Sequence, residues 1–125
     1  MNKTSEKLIA DYFADGQKIL SEISPLEVAA LAAAIEKVRD TGSTVYIAGN
    51  GGSASTASHF ATDIGIGSQM RSNPVRAISL CDNSAVMTAI SNDIGYSAVF
   101  EQQLRLLAQS GDLLIVISAS GNSQN

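Results

Sequence analysis

The stretch Thr44-Val45-Tyr46-Ile47-Ala48-Gly49-Asn50-Gly51-Gly52-Ser53-Ala54-Ser55 decides the architecture of this chain. Its opening residues are β-branched and apolar, which predicts a strand, and a helix is predicted over residues 53–64. The glycines between them let the backbone turn sharply and approach a ligand. The helix that follows offers free N–H groups and a positive dipole end, so we expect the turn to bind an anion such as phosphate.

Further strands are predicted downstream of this turn, at residues 75–80 and 112–118. Helices are predicted between them at residues 83–90, with Asp82 as the cap, and at residues 97–109. Strands that alternate with helices favour βαβ units. The predicted fold class is therefore α/β with a parallel sheet and right-handed crossovers, and we take it as a doubly wound sheet, which in flavodoxin-like folds has the order 2-1-3.

Two helices are predicted before the first strand, of which the first is amphipathic. Apolar residues recur at helical spacing over residues 3–22, and Ser24-Pro25-Leu26-Glu27 is a start signal for a second helix. Gly42 ends that helix at the usual C′ position. The pair is too apolar to stand free, so we expect it to pack across subunits. The predicted organisation is a helical pair at residues 1–42, which forms an oligomer interface, and an α/β region at residues 43–125.

The composition excludes several classes of function. The chain has 125 residues, with 8 Lys and Arg against 12 Asp and Glu, and this acidic balance argues against nucleic-acid binding. A single cysteine excludes an internal disulfide framework and a CxxC metal site. No apolar run reaches the roughly 18 residues that cross a bilayer, and the polar N-terminus lacks a signal-peptide core. We therefore predict no membrane association and a cytoplasmic location.

The third predicted strand bears on the extent of the domain. Its residues 113–117 are apolar on both faces, which suits a strand that has neighbours on each side. The chain ends eight residues later, too soon to supply another strand. We expect either a fragment of a larger α/β domain, truncated after the third strand, or a sheet that another chain completes. The fragment is the favoured interpretation.

A second polar loop, Ser118-Ala119-Ser120-Gly121-Asn122-Ser123, follows the third strand. In order 2-1-3 the first and third strands are neighbours, so the loops after them should border one crevice. Hydroxyl and backbone N–H groups there can bind phosphate without a cation. The hydroxyls in question belong to Ser53, Ser55, Ser118, Ser120 and Ser123.

The glycine turn also matches the dinucleotide pattern G-x-G-x-x-A. That pattern needs an acidic residue about 20 positions further on to hold the ribose. The nearest candidate after the second strand, Asp82, lies well past that distance, so no nucleotide cofactor is expected. A tight turn without any ligand is the remaining alternative for this segment.

His59 and Asp63 stand four residues apart on the helix after the glycine turn. Their side chains should therefore point from one face, a spacing that suits a shared metal ion or a His–carboxylate pair. Two ligands alone do not make a zinc site. An ion pair on the helix surface explains the same spacing.

Four motifs in matching order resemble the sugar isomerase (SIS) family, in its phosphoheptose isomerase (sedoheptulose 7-phosphate isomerase) branch. The resemblance implies a longer domain with a five-stranded parallel sheet and a homotetramer with active sites at subunit boundaries. It also implies the interconversion of sedoheptulose 7-phosphate and glycero-manno-heptose 7-phosphate through an enediol, for bacterial lipopolysaccharide. The motifs are Gly49-Asn50-Gly51-Gly52-Ser53, His59-Phe60-Ala61, Ser91-Asn92-Asp93-Ile94-Gly95-Tyr96 and Ile117-Ser118-Ala119-Ser120-Gly121-Asn122-Ser123.

The resemblance also assigns roles to residues. Serines hold the phosphate, Asn50 and Asp93 contact sugar hydroxyls, and His59 is the active-site histidine, which binds zinc in some members. With Asp63 it forms the predicted catalytic and metal-binding pair. The predicted substrate-binding residues are Asn50, Gly51, Gly52, Ser53, Ser55, Asp93, Ser118, Ala119, Ser120 and Ser123.

One position departs from the family pattern. Relatives carry a glutamate, proposed as catalytic acid/base, where this chain has Asp63, and aspartate reaches one methylene less. A displacement near 1 Å can cost on the order of a hundredfold in rate. The second catalytic group, a histidine, is expected after Asn125, so this chain alone is not expected to catalyse the reaction. The alternative is a non-catalytic SIS module that binds a phosphosugar or associates with a replication initiator.

Overall fold

The computed structural model describes residues 3–69 and 73–125 of the chain. Residues 34–125 form one parallel sheet with helices on both of its faces. Short 3-10 turns lie at Ile66–Ser68 and Tyr96–Ala98. The α-helices are α1 Lys3–Glu22, α2 Pro25–Asp40, α3 Gly52–Gly65, α4 Ser84–Asp93 and α5 Val99–Leu107, and the strands are β1 Thr44–Gly49, β2 Arg76–Ser79 and β3 Leu113–Ile117.

The sheet has the order β2-β1-β3, and both pairings are parallel. The predicted fold class is thereby confirmed: a parallel α/β sheet of order 2-1-3 that follows two helices. The register aligns Gly49 at the end of β1 with Ile117 at the end of β3. Because both strands run in the same direction, the loops that follow them leave the sheet side by side.

Strand β1 is buried along its whole length, and it divides the core into two layers. Successive side chains of a strand point to opposite faces, so Val45 and Ile47 pack with Ala57 of α3 on one face. Tyr46 and Ala48 face the other way, and a second cluster forms around them. The members that pack there are Leu80, Val99 and Phe100. Helices therefore cover both faces of β1, as the doubly wound prediction requires.

Strand β3 is less covered than its apolar sequence predicts. Leu114 and Val116 are 43% and 64% exposed, whereas Leu113, Ile115 and Ile117 are half-buried. Within the described residues β3 pairs with β1 alone, which places it at an edge of the sheet. The second neighbour that the apolar sequence of β3 predicts is not among the described strands, which agrees with the expectation that these residues do not supply it.

The chain divides into two compact units, one that ends at Ala33 and one that spans Ala34–Asn125. The first unit exposes much apolar surface along α1 and the start of α2. None of the helices in the described ranges is both long and apolar enough to cross a bilayer. The predicted boundary after residue 42 stays a prediction. The large exposed apolar side chains of the first unit are Leu8, Ile9, Tyr12, Phe13, Ile19, Leu20, Ile23, Leu26, Val28 and Leu31.

The ends of α2 follow the signals in the sequence. The Oγ atom of Ser24 accepts a hydrogen bond from the N–H of Glu27 at 3.4 Å. At the other end Gly42 has φ +69°, and the N–H of Ser43 donates to the carbonyl of Val38 at 3.0 Å. This bond closes a Schellman motif, so Gly42 occupies the predicted C′ position.

The cap of α4 corrects the sequence prediction. Asn83, not Asp82, caps this helix, because the Asn83 side chain accepts a hydrogen bond from the N–H of Val86 at 3.0 Å. That N–H belongs to the third helical residue, which a cap side chain reaches from one position before the helix. The Asp82 carboxylate is instead bonded to the hydroxyl of Ser58 on α3. Asp82 therefore ties α3 to the segment after β2.

The predicted helix over residues 97–109 is also shorter than expected. It opens as the 3-10 turn Tyr96–Ala98 and ends at Leu107, because Ala108 takes an extended conformation with ψ 143°. The Asp112 carboxylate accepts hydrogen bonds from the N–H groups of Gln109 and Thr44, both at 2.7 Å. The bond from Thr44, 68 residues away in sequence, holds the segment that enters β3 against the start of β1.

Candidate phosphosugar site

The loops after β1 and β3 meet at a pair of side-chain amides. Nδ2 of Asn50 donates to Oδ1 of Asn125 at 2.8 Å, and Nδ2 of Asn125 donates back to Oδ1 of Asn50 at 3.1 Å. The hydroxyl of Tyr96 donates to the same Oδ1 of Asn50 at 2.8 Å. Three separate segments, the two loops and the turn after α4, therefore converge on Asn50.

The glycine loop passes from β1 into α3 with almost no spare room. A Cβ atom on Gly49 would lie 2.6 Å from the backbone oxygen of Ser53, so only glycine fits there. Gly51 has φ +55° at the N-cap and lends no side chain to the helix N-terminus. No side chain caps the N-terminus of α3, and a helix N-terminus without a side-chain cap is a place where anions bind.

The exposure of the predicted residues in this loop suits contact with a ligand. Gly51, Gly52 and Ser55 are exposed, and Ser53 and Asn50 are half-buried. The N–H of Ser53 donates to the carbonyl of Asn50 at 2.9 Å, which holds the first turn of α3 close to the amide pair. The loop is thus ordered by its own backbone before any ligand binds.

The serine loop after β3 is a turn held by its own hydroxyls. Oγ of Ser118 accepts from the N–H of Gly121 at 3.0 Å, and Oγ of Ser120 accepts from the N–H of Asn122 at 3.2 Å. A hydroxyl that accepts in this way keeps its own proton, so both serines can still donate to a phosphate oxygen. Ala119 and Ser123 are exposed, as are Ser118 and Ser120.

His59 and Asp63 lie on the exposed face of α3. Nε2 of His59 is 3.3 Å from Oδ2 of Asp63, and the two side chains are 77% and 67% exposed. An ion pair so open to solvent contributes little to the stability of the fold. Both side chains are therefore accessible to a ligand and are not needed to hold the helix in place. The structure brings these two residues together as the spacing predicts.

The pair has the right atoms for a zinc ion but supplies only two of them. Imidazole nitrogen and carboxylate oxygen are common zinc ligands, and catalytic zinc sites take three from the protein. Among the described residues no group of three or more His, Cys, Asp or Glu side chains could hold a metal ion. His59 and Asp63 therefore fit as part of a zinc site, not as a whole one.

Asp93, the remaining predicted sugar contact, is the last residue of α4 and is exposed. Its carboxylate accepts a hydrogen bond from Nδ2 of Asn92 at 2.8 Å. Within the described part of the chain no hydrogen bond links Asp93 to either loop. Tyr96, three residues further along the chain, is the member of the same motif that makes a hydrogen bond to Asn50.

Sequence reasoning missed two residues of this cluster. Tyr96 was part of a recognised motif without a role of its own, and Asn125 had none. The thiol of Cys81 is half-buried, and it donates to the carbonyl of Gly49 at 3.3 Å. No local sequence pattern predicts these contacts, because each of them joins residues more than 30 positions apart.

The comparison with known protein families concerns nearly the whole chain. The sequence profile described as SIS domain matches residues 11–125. The chain belongs to the SIS domain family. The glycine loop and the serine loop are therefore part of an SIS domain, in which Asn50 and the serine loop share the carboxyl edge of the sheet.

Solved structures and curated sequences similar to this SIS domain include phosphoheptose isomerases. The enzyme from Neisseria gonorrhoeae superposes with a TM-score of 0.85 and 31% identity, over 96% of this chain and 64% of that one. The enzyme from Francisella tularensis gives a TM-score of 0.88 and 31% identity, over 100% of this chain and 66% of that one.

The curated relatives are longer than the part that this SIS domain matches. The phosphoheptose isomerase of Campylobacter concisus is 45% identical over 112 residues, which cover 87% of this chain and 59% of that protein. The corresponding protein of Pelobacter propionicus is 41% identical over 107 residues, with 86% and 56% covered. The chain thus spans well under two thirds of the length of these relatives.

Proposed function

We propose that this SIS domain serves a phosphosugar isomerase that interconverts sedoheptulose 7-phosphate and glycero-manno-heptose 7-phosphate. The reaction would supply heptose for bacterial lipopolysaccharide. The observation that carries the proposal is the convergence of the glycine loop and the serine loop on the Asn50–Asn125 amide pair. Phosphoheptose isomerases among the relatives and the solved structures support the choice of substrate.

The phosphate end of the substrate would bind between the two loops. The N-terminus of α3 lends backbone N–H groups and its dipole, and Ser53 lies in its first turn. Ser118 and Ser120 would donate their free hydroxyl protons from the other side, with Ser123 and Ser55 at the rim. Charge-assisted hydrogen bonds of this kind bind phosphate without a lysine or arginine.

Asn50 and Asp93 would form hydrogen bonds with the hydroxyls of the sugar. The reacting carbons would lie near His59 and Asp63. Aldose–ketose isomerisation moves a proton between adjacent carbons, and it needs a base at one carbon and an acid at the carbonyl oxygen. A carboxylate beside an imidazole can exchange a proton with a substrate on the open face of α3, since both side chains are exposed there. Asp63 is the proposed base, and His59 is its partner.

Zinc is a proposed cofactor, with His59 and Asp63 as two of its ligands. Bound zinc would polarise the sugar carbonyl as a Lewis acid. The other ligands would have to come from outside the described residues. Without the metal, the pair still provides a proton acceptor and a hydrogen-bond donor in one place.

We further propose a cytoplasmic homotetramer that acts on a phosphosugar and does not engage nucleic acid or a membrane. The apolar side chains exposed on α1 support assembly with other copies, because large exposed apolar patches mark interaction surfaces. The cytoplasm is where phosphorylated sugars are metabolised.

A non-catalytic SIS module is the second candidate, and the identity of residue 63 favours it. Aspartate stands where the family pattern has glutamate, and its carboxylate reaches one methylene less far. Such a module would bind the phosphosugar, or a replication initiator protein, without turnover.

The test is turnover of sedoheptulose 7-phosphate by the natural gene product that contains this sequence, followed by NMR with and without added zinc. We expect Asp63→Asn to lower kcat by about 10² to 10⁴, because it removes the acid–base group, and Asp63→Glu to preserve or raise it. Asp15→Asn on α1 is the control for a lost exposed carboxylate. Binding of the substrate without any turnover would favour the non-catalytic module.

A further inference from the structure

The hydroxyl of Tyr96 makes a hydrogen bond to a distant residue of the candidate site. It donates to Oδ1 of Asn50 at 2.8 Å, across 46 residues of sequence. Tyr96 opens the 3-10 turn after Gly95, and its side chain is 52% exposed. Water could satisfy so open a hydroxyl, so this bond adds little to the free energy of unfolding. The main effect of this bond is therefore on the orientation of the Asn50 side chain and not on the stability of the fold.

The bond completes the acceptor side of the Asn50 carboxamide. Oδ1 of Asn50 accepts from Tyr96 and from Nδ2 of Asn125, which occupies both of its lone pairs. Nδ2 of Asn50 donates one N–H to Oδ1 of Asn125, and its second N–H has no hydrogen-bond partner among residues 3–69 and 73–125. The carboxamide is thus anchored through its oxygen and keeps one donor for a ligand.

An asparagine amide needs such an anchor to point reliably. The terminal torsion of asparagine is broad, and without Tyr96 both remaining bonds of the Asn50 amide go to Asn125, a single side chain whose own terminal torsion is equally broad. Two donors to the oxygen from different directions restrict that rotation. Tyr96 supplies the donor that does not come from either phosphate-binding loop.

We propose that Tyr96 is a positioning residue that orients the Asn50 amide toward the sugar hydroxyls of the substrate. This inference rests on the proposed function for its ligand and on the three hydrogen bonds of Asn50 for its mechanism. Tyr96 touches Asn50 and acts through it. Its loss should weaken recognition of the sugar and leave recognition of phosphate unchanged.

The test compares Tyr96→Phe with the parent protein by calorimetric titration of sedoheptulose 7-phosphate and of inorganic phosphate. We expect about fivefold weaker binding of the sugar phosphate, the size of one net hydrogen bond, and the same affinity for inorganic phosphate. Tyr46→Phe is the matched control, since its hydroxyl donates to the carbonyl of Leu107 at 3.0 Å, outside the two loops. That control should leave both affinities unchanged.

A double-mutant cycle with Asn50→Ala isolates the pathway. In the Asn50→Ala background, Tyr96→Phe should have no further effect on either affinity, because the group that it positions is gone. An equal loss of affinity for sugar phosphate and inorganic phosphate would overturn the proposal. So would a Tyr96→Phe effect that persists without Asn50.

A spectroscopic readout separates this inference from the proposed function. In the parent protein we expect two well-separated proton signals for the Asn50 side-chain amide, and Tyr96→Phe should bring them closer to free-amide positions. Unchanged signals would refute the positioning role. Absence of sedoheptulose 7-phosphate binding in the parent would refute the proposed function alone, because the amide signals still report whether Tyr96 holds Asn50.

Discussion

Two serine hydroxyls, those of Ser53 and Ser120, stand on the two loops that border the proposed phosphate site. Replacement of both by alanine should weaken sedoheptulose 7-phosphate binding by tenfold or more, since a hydrogen bond to a charged group is worth roughly 1.5–3 kcal/mol. The melting temperature should change little, because Ser53 is half-buried and Ser120 exposed. Titration calorimetry and circular dichroism measure the two quantities.

The control for that pair is Ser84→Ala combined with Ser110→Ala. Both serines are exposed and lie outside the two loops. An affinity that falls equally in the control and in the Ser53/Ser120 variant would contradict the assignment of the site.

Asp112 carries a charge that the fold stabilises. Hydrogen bonds from the N–H groups of Gln109 and Thr44 lower the pKa of this carboxyl below its ordinary value, with a smaller contribution from Arg76. The charged form is thus favoured in the folded state, so its contribution to stability is full above the unfolded pKa. It is lost as the pH falls below roughly 4 toward the lower folded pKa.

We therefore expect Asp112→Asn to be less stable than the parent at pH 7 and to lose less stability on acidification below about pH 4. Thermal unfolding at a series of pH values measures both effects. Asp15→Asn on α1 is the control for a carboxylate that is exposed. Parallel pH profiles for Asp112→Asn and the parent would rule out this role.

At the scale of elements, the junction of β1 and α3 decides whether the glycine loop forms. A Cβ atom on Gly49 would meet the backbone oxygen of Ser53 at 2.6 Å and its carbonyl carbon at 2.7 Å. Backbone atoms cannot rotate aside as a side chain can. We expect Gly49→Ala to destabilise the protein by about 1–3 kcal/mol, the usual cost of overpacking, as measured by urea unfolding.

Gly52→Ala is the matched control three residues further on. A Cβ atom there has nothing within 4 Å, and the residue lies in the first turn of α3. Alanine should be neutral or stabilising by roughly 0.5–1 kcal/mol, since glycine is the poorer helix former. If both variants unfolded at the same urea concentration, the proposed clash at Gly49 would be wrong.

At the scale of the whole molecule, the unit that ends at Ala33 exposes large apolar side chains in water. Leu8, Tyr12 and Leu20 are each at least 70% exposed, more than an isolated helix pair can carry without association. We expect a mass in solution that is a multiple of 13.0 kDa, and a shift toward the single chain in Leu8→Glu with Leu20→Glu. Light scattering on a sizing column measures this.

Gln17→Glu with Ser21→Glu is the charge-matched control, because both residues are polar and exposed on α1 and each change adds one negative charge. It adds acidic residues to the same helix without removing apolar surface. A parent protein of 13.0 kDa in solution would contradict the predicted oligomer.

The order of the elements could be predicted because local signals encode it. The β-branched run that starts at Thr44 predicted β1, and Ser24 and Gly42 marked both ends of α2 correctly. Helical periodicity placed His59 and Asp63 on one face of α3, where the structure has them 3.3 Å apart. Each of these features depends on neighbours within about one helical turn, which a sequence pattern records directly.

The cap of α4 shows where local reasoning stops. Asp82 and Asn83 are both good cap residues, and the sequence alone does not rank them. In the structure the Asp82 carboxylate accepts a hydrogen bond from the hydroxyl of Ser58 on α3. The Asn83 side chain accepts the hydrogen bond from the N–H of Val86. Competition from a distant hydroxyl, which no local pattern contains, decided the outcome.

The sequence by itself determined the parallel α/β class and the two polar loops, because hydrophobic periodicity and turn residues act over short distances. Only the tertiary structure decided that Tyr96 and Asn125 both bind Asn50, at separations of 46 and 75 residues. Such contacts exist only once the sheet has brought the ends of β1 and β3 together. Their partners are selected by packing in three dimensions, and residue type alone cannot specify that selection.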